Sequence, residues 1–128
     1  MRNLSELVGP SVVLVVEDEF FVRMVAVEAL TEAGFTTLEA EHAPDAMALL
    51  HSRATDIHAL FTDVQMPGET DGVMLAHEAS RRWPWIGILI ASGYTHHARA
   101  AMPAASRYLH EPYDLDHVIQ HIHELVLG

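Results

Sequence analysis

The chain has no lysine and no cysteine; its seven basic residues are all arginine, set against eighteen acids and ten histidines in 128 residues. Without cysteine there are no disulfides, thiolate metal sites or cysteine nucleophiles, and a cytoplasmic location is expected. A formal charge of −11 argues against nucleic acid as a direct partner, because phosphate binding relies on clustered Lys and Arg. No apolar segment approaches the roughly 20 residues of a membrane span, so no membrane partner is expected. The opening "MRNLSELVGP" has neither a basic start nor an apolar h-region. Residues 1–10 are therefore expected to be a short arm rather than a secretory signal. Residues 11–128 are expected to form one domain, since half of the composition is apolar and that length supports a core.

Apolar runs alternate with helical patterns along the whole chain. "VVLVV" (12–16) does not alternate with polar residues and reads as a strand buried on both faces. Residues 19–33 carry a strongly apolar helical pattern that stops at Gly34, a natural residue to follow a helix end. "FTTLEA" (35–40) is a weaker, alternating strand, and a second helix starts at Pro44. "IHALFT" (57–62) is a third strand, ending at Asp63. A helix over "GVMLAHEASRRW" follows and stops before Pro84; "IGILIAS" (86–92) is the fourth strand. A short helix is expected over 95–102 and a fifth strand over 106–110. The last helix follows Asp114 as its N-cap and sets Leu115, Val118, Ile119, Ile122, Leu125 and Val126 on one face. Five strands alternating with five helices imply an α/β fold: a parallel, doubly wound sheet covered on both sides.

Ligands of such sheets bind beyond the C-terminal ends of the strands. The first strand runs into Glu17 and Asp18 and the third ends at Asp63, so if those strands are neighbours three carboxylates converge. Left alone they repel, and at least one holds its proton. A hard divalent cation removes the conflict, and Mg²⁺ suits a site of few carboxylates and several waters. Each acid taken singly reads equally well as a solvent-facing strand end, and Asp18 as the cap of the next helix.

The motifs "LVVEDE", "FTDVQMPGETDG", "ASGY" and "YLHEPY", in that order, resemble the receiver domain of two-component response regulators over about residues 11 to 127. The resemblance implies a flavodoxin-like five-stranded sheet of order 2-1-3-4-5. It implies that Asp63 is the phosphoacceptor, a carboxylate nucleophile that forms an acyl phosphate. Mg²⁺ would be held by Asp18, Asp63 and the backbone carbonyl of Gln65, with Glu17 acting through water. Ser92 would contact the phosphoryl oxygens, and Tyr108 would turn inward when Ser92 moves. Pro67 and Gly68 would shape the loop presenting Gln65, and the eight residues from Asp63 to Asp71 make a loop-length variant of the family spacing.

One position departs from the family. Where the fifth strand should lead into a lysine and proline, this chain has Glu111-Pro112. A carboxylate there repels the phosphoryl group, by on the order of 4 kcal/mol at about 4 Å and an effective dielectric of about 20, before screening. Glu111 is expected to turn outward, although it can also be protonated or serve as an extra metal ligand. Arg107 and His110 are nearby sources of compensating positive charge, and equally ordinary strand residues.

The histidines invite a metal reading. His117 and His121, four apart, with Glu124 three further on, have chelating spacing, and also the spacing of a polar face opposite the apolar stripe. His96 and His97 follow "SGY" in a loop that moves with the switch in the family.

The expected function is a stand-alone response regulator, phosphorylated on Asp63 by a histidine kinase or histidine phosphotransfer protein. Its output would pass to a protein partner through the fourth helix, fifth strand and fifth helix. The alternative is a degenerate receiver that binds partners without phosphate. An aspartate-nucleophile phosphatase is disfavoured because Gln65 stands where its second acid would be, leaving no proton donor.

Overall fold

The computed structural model describes residues 11–64, 72–93 and 102–127. Five strands, β1 (Val12–Val16), β2 (Thr36–Ala40), β3 (Ala59–Asp63), β4 (Gly87–Ser92) and β5 (Arg107–His110), lie in the order β2-β1-β3-β4-β5. Every neighbouring pair is parallel. The helices are α1 (Phe20–Glu32), α2 (Ala43–Arg53), α3 (Gly72–Arg82) and α4 (Leu115–Leu127), with a 3₁₀ turn over Ala54–Asp56. These are four helices among the described residues against the five expected. The helix anticipated over 95–102 lies outside the described residues except for Met102.

Strand β1, flanked by β2 and β3, explains the two cores. Side chains alternate across a strand, so an unbroken apolar run must meet apolar partners on both faces. Val12, Leu14 and Val16 join Leu50 of α2 and Leu75 of α3 in one cluster. Val13 and Val15 join Ala26 and Leu30 of α1, and Val118 and Ile122 of α4, in the other. Each fully buried Leu, Ile or Val contributes about 1.5–3 kcal/mol. The stripe predicted on the last helix packs as expected: Val118 and Ile122 are buried, with Ile119, Leu125 and Val126 against the same cluster.

Helix α1 is the exception. Its apolar pattern suggests burial, yet Phe20, Phe21, Val22, Met24 and Val25 are exposed, while Arg23 is buried. The helix ends as its sequence requires. Gly34 adopts φ 105°, its N–H donates to Thr31 O, and Phe35 N–H donates to Leu30 O, closing a Schellman motif. Asp114 accepts from the N–H of Asp116 at 2.9 Å and so caps α4.

Candidate functional site

The pairing of β1 with β3, Val16 opposite Thr62, brings both acid-bearing ends to the same edge of the sheet. Glu17, Asp18, Asp63 and Glu111 line one open cavity of about 740 Å³, together with Phe21, Val22 and Val25 of α1 and Tyr113. Glu17 is buried; its Oε2 accepts from the N–H of Glu19 at 2.8 Å, and its carbonyl accepts from Arg23 Nη1 at 2.7 Å. Asp63 is half-buried, paired in register with Ala91 of β4. Behind it, α3 starts so close that a Cβ on Gly72 would stand 1.9 Å from the Asp63 carbonyl oxygen. Only glycine lets that helix approach.

The acids perturb one another. Burial pushes the Glu17 carboxyl up to about 8; the Glu19 N–H opposes this, and Asp18 and Asp63 add to it. Burial, then the charge of Asp63, raises the Glu111 carboxyl, with His110 pulling the other way. Burial, then Glu17, Glu111 and Asp63, pushes the Tyr113 phenol up to about 12. Carboxylates that cannot all ionise together suit a divalent cation. Among the described residues no three His, Asp or Glu side chains are arranged to hold a metal by themselves. Mg²⁺ needs fewer, since it keeps several waters and takes one or two carboxylates, and the acids lining this cavity are of the kind it takes.

Ser92 is fully buried at the end of β4, and its carbonyl accepts from Glu111 N–H at 2.8 Å and from the Tyr108 hydroxyl at 3.3 Å. Tyr108 pairs with Ile90 and packs on the α2–α3 side of the sheet. The bond from Glu111 to Ser92 extends the β4–β5 pairing past the strand end and sets Glu111 at the mouth of the cavity. Glu111 is partly buried and lines this cavity, in place of the outward turn expected of it.

The alternatives left open for Arg107, the histidine pair and Asp18 are also decided among the described residues. Arg107 bonds Glu124 and lies with its Nη1 3.2 Å from His121 Nδ1, so a guanidinium occupies the place where a chelated metal would sit. That contact points Arg107 away from Glu111, leaving His110 as the compensating charge. Asp18 does not cap α1, whose N-cap is Glu19 without a side-chain bond. Gln65, Pro67, Gly68, Asp71, His96 and His97 lie outside the described residues.

Sequence reasoning missed Arg23 and Tyr113. A lone cation in an apolar helix start was the available signal for the first; nothing local marked the second.

A protein-family model for the response regulator receiver domain matches residues 13–123. The chain is 33% identical to the sensor kinase CckA of Brucella abortus, covering 98% of this chain but 14% of that protein. It is 31% identical to the DNA-binding transcriptional regulator NtrC of Salmonella typhimurium, covering 84% of this chain and 23% of that one. The chain thus spans less than a quarter of either curated relative. A crystal structure of a response regulator receiver protein from Sinorhizobium medicae superposes with a TM-score of 0.85 at 23% identity, covering 93% and 96% of the two chains, a likeness of fold. The matched profile, the 2-1-3-4-5 sheet and the acids at its edge agree: this chain belongs to the response regulator receiver domain family of two-component signalling.

Proposed function

We propose that this domain is the receiver of a two-component or phosphorelay pathway and accepts a phosphoryl group on Asp63 in the presence of Mg²⁺. The observation carrying the proposal is that β1 and β3, as neighbours, deliver Glu17, Asp18 and Asp63 to one cavity. An oxygen of the Asp63 carboxylate attacks phosphorus; the P–N bond to a donor histidine breaks as the acyl phosphate forms, and the electron pair leaves on the imidazole. Mg²⁺, when bound, offsets the charge on the phosphoryl oxygens. Asp18, Asp63 and the Gln65 carbonyl would hold it, with Glu17 acting through water. The Ser92 hydroxyl contacts the transferred group, and Tyr108, bonded to the Ser92 carbonyl, follows its movement.

The donor is a histidine kinase or phosphotransfer protein. The exposed apolar residues of α1, continuous with the cavity lining, support a protein donor whose own apolar helix face lies across them. Output passes to a protein partner through the segment 95–102, β5 and α4, in the cytoplasm, without direct contact to nucleic acid or membrane. Among the described residues no helix is long and apolar enough to cross a membrane.

One observation favours a second reading. Glu111 faces the cavity, and a carboxylate there suits a degenerate receiver that binds partners without phosphate. Incubation with a small phosphodonor and Mg²⁺, followed by intact mass measurement, separates the two. A single phosphoryl adduct on the wild type, absent from Asp63→Asn, is expected. No adduct from small donors or the cognate kinase would select the second reading, and equal labelling of both proteins would show that Asp63 is not the acceptor.

A further inference from the structure

We infer that Glu111 is a specificity-determining residue of the cavity: it draws a divalent cation into the resting, unphosphorylated domain and weights the site toward cation over phosphoryl group. The inference rests on the reading of Asp18 and Asp63 as the cation's ligands. It goes beyond that reading in assigning a cation-directed role to the residue at the mouth of β5.

The geometry argues it in three steps. The backbone of Glu111 is fixed just past the end of β5, where its N–H donates to the Ser92 carbonyl at 2.8 Å. Its side chain lines the cavity that Glu17, Asp18 and Asp63 line, so a cation held by Asp18 and Asp63 lies within its field. The chain has no lysine, and among the described residues the arginine nearest in sequence, Arg107, is engaged with Glu124 at the other end of β5. Among the described residues the positive groups set against this attraction include His110, beside Glu111, and Arg23, whose Nη1 lies 2.7 Å from the Glu17 carbonyl oxygen.

A carboxylate and a dication a few Å apart attract strongly in a half-enclosed site, while the same carboxylate repels each phosphoryl oxygen. The domain would stay loaded with cation between phosphorylation events.

The test is titration calorimetry with Mn²⁺ and with Mg²⁺, no phosphodonor present, on the wild type, Glu111→Gln, Glu111→Lys and Asp18→Asn, each first shown to be folded by circular dichroism. The expected result is a Kd for Mn²⁺ about tenfold weaker in Glu111→Gln and weaker still in Glu111→Lys, after allowance for screening. The Kd for Mg²⁺ should weaken in the same order, and binding should be lost in Asp18→Asn. Wild-type affinity in Glu111→Gln, with binding lost in Asp18→Asn, overturns the inference and leaves the site reading standing. Wild-type affinity in Asp18→Asn as well overturns both, because the cation then sits elsewhere.

Discussion

Arg23 Nη1 donates a 2.7 Å hydrogen bond to the carbonyl oxygen of Glu17, so a buried guanidinium holds the turn on which Glu17 and Asp18 are mounted. Its Nε also reaches Glu39 at 3.1 Å and its Nη2 reaches Glu41 at 3.7 Å. Those acids are half exposed, and pairs to exposed partners are worth about 0–1 kcal/mol. The bond to the carbonyl decides the balance. Arg23→Ala leaves that acceptor without its partner, and a loss of about 2–4 kcal/mol is expected from urea unfolding. Arg23→Lys should recover part of it. If Arg23→Ala unfolds at the wild-type midpoint, the guanidinium is not what secures the turn.

Glu111→Lys puts a cation beside the transferring group. Its labelling by a small phosphodonor should be at least about tenfold faster than that of the wild type, the rate equivalent of about 1.4 kcal/mol. Time-resolved mass measurement reads this directly. Slower or equal labelling would mean that the Glu111 position lies outside the field of the reacting phosphorus.

Burial pushes the Glu17 carboxyl up to about 8 in the folded domain, against an ordinary value of 4.5. Between those limits the folded state binds more protons than the unfolded one, so stability falls as pH rises, by at most about 1.4 kcal/mol per pH unit. Glu111 acts in the same direction. Urea midpoints of metal-free protein should fall from about pH 5 to about pH 8, and millimolar Mg²⁺ should restore most at the upper end. Midpoints rising across that window would contradict the burial of Glu17.

Gly72→Ala forces a Cβ onto the Asp63 carbonyl oxygen. Backbone must shift, and overpacking against backbone costs about 1–3 kcal/mol or more. Reduced stability together with slowed labelling of Asp63 is expected. A variant with unaltered stability and labelling would show that α3 yields freely.

Phe21→Ala removes an exposed ring beside the cavity. Stability should stay within about 0.5 kcal/mol of the wild type. Labelling by a small donor should be unchanged, and transfer from a phosphorylated histidine protein should slow several-fold. Equal transfer rates would remove α1 from the docking face.

Much of this protein is legible from residue order. A five-residue apolar run has to be sandwiched, alternating strand and helix patterns have to wind a parallel sheet, and acids at strand ends have to meet at one edge. Gly34 and Asp114 mark helix ends because backbone geometry and capping are local. Other features depend on what lies opposite in space. Glu111 comes to this cavity because its N–H pairs with the carbonyl of Ser92, nineteen residues earlier in sequence. Arg23 is buried because a carbonyl at the end of β1 and acids on and beyond β2 converge on it. The apolar residues of α1 stay exposed because the sheet covers only one side of the helix, whatever its composition. Periodicity and capping act within a few residues of chain, whereas burial and charge pairing are settled by neighbours that only folding supplies.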